Sequence, residues 1–203
     1  MRIGVYGGTF SPPHNGHVAA AKAFMEQMWL DVLFIIPAYL PPHKEIEGVV
    51  TPNDRLLMCE RAFSHLDGVI VSDLEFRRKG TSYTVDTLRE IAARTDADSR
   101  IFLLMGTDML LTLDRWYCPD EIFRLSYPVY MRREVQDPIL DQRIVSQIAL
   151  LREKYGKVVR RITGDVLPIS GTQIRALRKE GKQIDSLVPE SVASYIYDHN
   201  LYV

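Results

Sequence analysis

The chain has 203 residues, 46% of them hydrophobic and 25% charged. This excludes a disordered chain, a collagen-like chain and a disulfide scaffold, and a chain of this length buries roughly 70% of the surface its unfolded form exposes, enough for a core without staples. Lys and Arg count 25 against 26 for Asp and Glu, a formal net charge of -1; this argues against a broad basic surface for polymeric nucleic acid but leaves room for a pocket where a few cations converge.

Two cysteines, Cys59 and Cys118, have no CxxC pairing and read as reduced thiols. The densest apolar stretch, Val32 to Leu40, is broken by Pro37 and falls far short of the ~18 residues that suggest a membrane span. Arg2 leads directly into a strand-like run with no signal-peptide pattern, so a cytoplasmic protein with no membrane partner is the expectation.

In chain order, Arg2 to Tyr6 reads as a first strand, and Val18, Ala21, Met25 and Met28 recur at helical spacing. Val32 to Ile36 is a continuous apolar run, as in a strand buried on both faces. Thr51-Pro52 reads as an N-cap with proline at the first helical position, and Leu56, Cys59, Phe63 and Leu66 form the stripe that follows. Val69 to Val71 is a short strand, Val85, Leu88 and Ile91 mark a helix, and Ile101 to Met105 is a strand. Pro128 to Met131 lies in a weaker strand, Ile139 to Leu151 is helical, and Val158 to Ile162 is a strand. Helices are expected at about Thr172 to Lys179 and Glu190 to His199. Strands alternating with helices predict an α/β fold with a doubly wound, mostly parallel sheet and helices on both faces. With no internal repeat or linker, residues 1–203 read as one domain, the C-terminal helices (about 170–203) packed on it. Tyr195, Tyr197 and Tyr202 are expected either to pack internally or to meet a second subunit in a homodimer. Ligands of such sheets bind outside the carboxyl ends of the strands, near the point where strand order reverses.

The loop after the first strand carries the most chemistry. Gly7, Gly8, Thr9 and Phe10 lead through Ser11-Pro12-Pro13 to His14-Asn15-Gly16-His17, where a helix begins. The two glycines let backbone N–H groups approach an anion, and the helix N-terminus adds partial positive charge. His14 and His17, three apart, share one face of the opening turn, and Gly16 is read as leaving space for a bulky ligand. The loop has neither the GxGxxG spacing of dinucleotide sites nor the GxxxxGK[ST] spacing of NTPase phosphate loops. A metal held by His14 and His17 lacks evident further ligands.

Gly7-Gly8-Thr9-Phe10 with His14-Asn15-Gly16-His17 resembles the signature of the nucleotidyltransferase superfamily that carries the HxGH motif. Ile169-Ser170-Gly171-Thr172-Gln173-Ile174-Arg175 resembles the second, late signature of that superfamily, with Gly171 where serine is common. Tyr83 to Leu88, Gly106 to Leu110, Trp116-Tyr117 and Pro41 to Lys44 are similar to bacterial nicotinate-nucleotide adenylyltransferases, over essentially the whole chain. The resemblance implies a Rossmann-like fold and the joining of ATP to nicotinate mononucleotide, giving deamido-NAD and pyrophosphate. A nicotinamide-mononucleotide or pantetheine-phosphate enzyme, and a non-catalytic nucleotide-binding module, are the rival readings.

The residues fit that chemistry. Gly8, Thr9 and Phe10 would cradle phosphate through N–H groups, with His14 and His17 on the α- and β-phosphates of ATP. Ser170 or Thr172 can cap the helix after Ile169, and Arg175 offers a planar fork for the departing pyrophosphate. Asp108, just past the strand that ends before Gly106, suits a ribose hydroxyl. Lys44 is expected to reach phosphate from a loop, and Arg132 or Arg133 to contact nucleotide. A helix opening near Thr84 offers N–H groups to the pyridine carboxylate, and Trp116, flanked by Tyr117 before a turn at Pro119-Asp120, offers a face to the cationic ring. The expected mechanism is direct in-line transfer, with Mg²⁺ held by ATP phosphates and water rather than by side chains.

Overall fold

The computed structural model describes residues 1–41, 50–132, 137–164 and 167–203. Among them six strands form one sheet in the order β3-β2-β1-β4-β5-β6, every pairing parallel. The strands are β1 (Arg2–Gly8), β2 (Val32–Pro37), β3 (Val69–Val71), β4 (Arg100–Gly106), β5 (Ser126–Met131) and β6 (Arg160–Ile162). The helices are α1 (Asn15–Gln27), α2 (Pro52–Phe63), α3 (Leu74–Arg78), α4 (Thr84–Ala92), α5 (Thr107–Leu110), α6 (Pro119–Leu125), α7 (Pro138–Tyr155), α8 (Gly171–Lys179) and α9 (Glu190–Asp198). A 3-10 turn at Leu113–Arg115 precedes α6. None of the described helices is long and apolar enough to cross a membrane.

The α/β, doubly wound architecture follows from the pleat. Along β4, Phe102 and Leu104 enter one core while Ile101, Leu103 and Met105 enter the other. Leu33 and Ile35 of β2 join the first core and Ile3 and Val5 of β1 the second. Successive side chains of a strand point to opposite faces, so a strand covered on both sides needs apolar residues throughout. The first core is roofed by α1, α2, α8 and α9, and the second by α3 to α7. Strand order reverses between β1 and β4, which places the ends of these two strands beside the crevice.

Several elements depart from expectation. The buried residues of α2 are Arg55, Met58, Cys59, Ala62 and Phe63, whereas Leu56 is half-buried and Leu66 lies beyond the helix. The stripe is rotated because an arginine occupies a core position. Pro119-Asp120 opens α6 instead of forming a turn, with Pro119 in the first helical turn where its missing N–H costs nothing. The strand expected at Val158 is confined to Arg160–Ile162. Tyr195 and Tyr202 are buried in the first core and Tyr197 packs against it, so these tyrosines pack internally.

Candidate active site

The chain leaves β1 at Gly8, and Thr9 and Phe10 begin the loop that ends at the start of α1. Phe10 is buried at φ 47°, a left-handed conformation that a bulky side chain adopts only under constraint. Its ring packs edge-on to His17, with centroids 4.9 Å apart. His14 is the N-cap of α1 and is 2% exposed; its ring stacks on that of His17 at 3.7 Å. The His14 backbone N–H donates to His17 Nδ1 at 3.2 Å. His17 Nδ1 is therefore an acceptor, which puts the proton of the neutral ring on Nε2. The helix start thus positions both imidazoles and leaves Nε2 as the donor nitrogen of the neutral His17 ring.

Gly16 also meets a constraint within the chain itself. A Cβ there would come within 3.1 Å of His14 Nδ1. The glycine makes room for the chain's own imidazole.

The second motif meets the first. Ser170 is the N-cap of α8, its hydroxyl accepting from the Gln173 N–H at 3.1 Å. Ile169, just before it, packs against the first core. Arg175 Nη1 donates to the Ser11 carbonyl at 2.9 Å and Nη2 to Thr172 Oγ1 at 3.2 Å. A Cβ on Gly171 would fall 2.8 Å from that same Ser11 oxygen, so glycine is what lets α8 approach this closely. From the other side, Tyr202 Oη and Ser11 Oγ share a hydrogen bond at 3.0 Å. Burial pushes the Tyr202 hydroxyl well above its ordinary pKa, so it stays protonated.

A residue that the sequence reading passed over lies beneath the loop. Arg55 is wholly buried; its Nη1 donates to the Thr9 carbonyl at 2.9 Å and the Ala38 carbonyl at 2.5 Å, and its Nη2 to the Tyr39 carbonyl at 3.0 Å. The available signal was a charge in register with Cys59, Ala62 and Phe63 on the buried face of α2.

A second group sits at the N-terminus of α4. Thr84 is its first residue, and the first N–H groups of a helix have no intrahelical acceptor. Exposed Tyr83, the N-cap, lies 4.6 Å from the Tyr117 ring. Trp116 is half-buried, its indole N–H donating to Thr112 Oγ1 at 3.2 Å. Arg89 of α4 pairs with Asp86 one turn back in the same helix, at 2.7 Å, and reaches across to Glu121 of α6, the helix that follows the Trp116–Tyr117 loop.

Other expected site residues fall into place unevenly. Gly7 and Gly8 end β1 and Gly106 ends β4 beside it, with Asp108 exposed in the first turn of α5. Arg132 is ion-paired with Asp141 of α7. Lys44 and Arg133 lie outside the described residues. Among the described residues no three His, Cys, Asp or Glu side chains converge to hold a metal. A cavity of about 640 Å³ lined by Met28, Trp29, Arg160 and Ile162 lies at the opposite end of α1 from the histidines.

Comparison with known proteins agrees with the architecture. Residues 5–177 match the cytidylyltransferase-like family model. A probable nicotinate-nucleotide adenylyltransferase of Salinibacter ruber is 36% identical, covering 100% of this chain and 98% of its own. One from Pseudomonas fluorescens is also 36% identical, covering 99% and 97%. The solved structure of Plasmodium falciparum nicotinic acid mononucleotide adenylyltransferase complexed with NaAD superposes with a TM-score of 0.73 at 16% identity, covering 99% of this chain and 97% of that one, a likeness of fold. By its length-spanning similarity to these relatives, the chain belongs to the nicotinate-nucleotide adenylyltransferase family, within the cytidylyltransferase-like group.

Proposed function

We propose that this chain is an adenylyltransferase of NAD biosynthesis, joining ATP and nicotinate mononucleotide to give deamido-NAD and pyrophosphate. The observation that carries this reading is the meeting of the two signature segments, made by the hydrogen bond from Arg175 to the Ser11 carbonyl. That contact between stretches far apart in sequence supports a shared site for the imidazoles, the guanidinium and the loop N–H groups.

The chemistry requires no protein nucleophile. A phosphate oxygen of nicotinate mononucleotide, already an anion, attacks the α-phosphorus of ATP; that O–P bond forms as the bond from the α-phosphorus to the β-bridging oxygen breaks. Pyrophosphate leaves with the electron pair. The protein's contribution is position and charge stabilisation. His17 Nε2–H donates to a phosphate oxygen, with His14 stacked behind it. Arg175, braced on Ser11 and Thr172, turns its remaining N–H groups to the leaving pyrophosphate. Asp108 takes a ribose hydroxyl and the N–H groups at Thr84 take the pyridine carboxylate. An amide there would set its NH₂ against N–H donors, which favours the acid over nicotinamide mononucleotide. The face of Trp116 meets the cationic ring, with Tyr117 at its flank. Mg²⁺ would be held mainly by the phosphates of ATP and water, where it would neutralise charge on the triphosphate.

The test is pyrophosphate release from ATP with nicotinate mononucleotide, nicotinamide mononucleotide and phosphopantetheine in parallel. Turnover preferring nicotinate mononucleotide is expected. A preference for phosphopantetheine, or no turnover with any of the three, overturns the reading.

A further inference from the structure

We propose that Arg55 is a positioning residue for adenylyl transfer: by gripping the Thr9 carbonyl from beneath, it turns the Thr9–Phe10 peptide so that the Phe10 N–H faces the phosphates of ATP. The proposal rests on the reading of the site given above. It starts from a geometric fact about one peptide. The Thr9–Phe10 bond is trans, and a trans peptide points its N–H opposite to its carbonyl. The carbonyl is directed inward, 2.9 Å from Arg55 Nη1. The N–H is thereby directed outward, on the side away from Arg55.

The conformation needs a restraint. Phe10 sits at φ 47°, in the left-handed region where an L-residue's Cβ crowds the neighbouring carbonyl oxygen. Left alone, the peptide would rotate to relieve that strain and carry its N–H with it. The same guanidinium also holds Ala38 and Tyr39, the residues just beyond β2, so it fixes the spacing between the loops that follow two neighbouring strands. A further bond, from the Ala38 N–H to the Gly8 carbonyl at 2.9 Å, closes this unit.

Arg55 is poorly explained as a stabiliser. Among the described residues it is the largest fully buried side chain, its three hydrogen-bond acceptors are neutral carbonyls, its Nε–H has no acceptor, and the buried acid Glu75 acts on it without an ion-pair contact. With no ion-pair contact among the described residues, the cation carries a desolvation cost that an apolar side chain of similar volume would avoid. What the guanidinium supplies in return is reach. Its planar fork spans three carbonyls from two loops, which the point charge of a lysine cannot do. Its positive charge also lies directly under the backbone proposed to receive phosphate.

The experiment compares Arg55→Lys and Arg55→Met with the parent and with His17→Ala, using steady-state kinetics and two-dimensional NMR of protein carrying ¹⁵N-phenylalanine, titrated with inorganic pyrophosphate. For Arg55→Lys, kcat/KM for ATP is expected to fall roughly 10–100-fold, toward the effect of losing one preorganised donor. Its KM for nicotinate mononucleotide should stay within about twofold of the parent, because Thr84 and Trp116 lie on other elements. The Phe10 amide resonance should shift with pyrophosphate in the parent and lose that response in the variant. If Arg55→Met does not fold, Arg55→Lys decides alone. Parental kcat/KM for ATP, a rise in KM for nicotinate mononucleotide beyond about twofold, or an unchanged Phe10 response in Arg55→Lys overturns the proposal. Should His17→Ala also keep full rate, the site reading itself falls; a crippled His17→Ala beside a parental Arg55→Lys removes only the role of Arg55.

Discussion

At the end of the crevice that carries His14 and His17, each strand-end loop is fastened from below by groups distant in sequence. Arg55 holds Thr9, Ala38 and Tyr39, Tyr202 holds the Ser11 hydroxyl, and Arg175 holds the Ser11 carbonyl. At the other end, Thr84, Trp116 and Tyr117 depend on a local arrangement at the surface: the ring pair Tyr83–Tyr117 and the pairs of Arg89 with Asp86 and Glu121. The proposed phosphate end is thus preorganised by buried and part-buried bonds, and the proposed pyridine end is assembled from neighbouring pieces at the surface. The division suits the chemistry. Charge develops at phosphorus during the reaction, so fixed donors there lower the barrier, whereas the pyridine ring is only recognised.

The largest test of this contrast is His17→Ala. It should lower kcat by at least roughly 10²–10³, the usual cost of a donor used mainly in the transition state. Chemical denaturation should show a loss of only about 1 kcal/mol, the worth of the bond from the His14 N–H. Near-parental turnover would remove His17 from the mechanism. Arg175→Lys comes next, with an expected fall of roughly 10–100-fold in kcat, since an ammonium cannot brace on Ser11 and Thr172 while presenting a fork to pyrophosphate. A full-rate lysine enzyme would contradict the fork role. Trp116→Ala should act on the other end: KM for nicotinate mononucleotide rises roughly 2–30-fold, from a ring–cation contact of about 0.5–2 kcal/mol, while KM for ATP stays put. Equal effects on both substrates would mean that the two ends are not separable.

The strands and the two signature segments are legible from residue order because their causes are local. A continuous apolar run such as Val32 to Ile36 reports a strand covered on both faces, and Thr51-Pro52 announces a helix start that the mutual bonds of Thr51 and Asp54 realise. What stays hidden is long-range. Nothing near Ser11 in sequence announces the Tyr202 hydroxyl that bonds it. Arg55 is harder still, because a charged residue on a helix is ordinarily solvent-facing and only the carbonyls of two separate loops make its burial tolerable. Gly16 was legible as a place needing room, and the structure shows His14 as one neighbour that takes up that room.

Tyr202→Phe probes the preorganised end more gently. It deletes one buried hydroxyl and leaves the ring in the core, so a loss of about 0.5–1.5 kcal/mol in unfolding free energy and a few-fold rise in KM for ATP are expected. A stability loss without any change in KM would make the contact structural only.

The smallest effect concerns the foundation of that end, α2, which carries Arg55. The Tyr195 hydroxyl of α9 donates to Asp54 Oδ1 in the first turn of α2 at 2.8 Å. Burial, with the Asp54 carboxylate as hydrogen-bond partner, raises the tyrosine to about 12 from its ordinary 10. A proton held more tightly in the native state stabilises the fold below the unfolded pKa, and that contribution fades as pH rises through the folded one. The stability that Tyr195 adds should therefore be complete below about pH 10 and vanish on approaching pH 12. Other buried tyrosines, Tyr130 and Tyr202, are shifted upward as well, so the parent's alkaline slope alone does not isolate Tyr195. The difference between the parent and Tyr195→Phe does isolate it. Measured by denaturant unfolding at steps from about pH 8 to pH 11, that difference should be constant at first and then shrink. A difference independent of pH would mean that the hydroxyl's bond to Asp54 does not hold α9 on α2, and that the helix beneath the phosphate loop is secured by apolar packing alone.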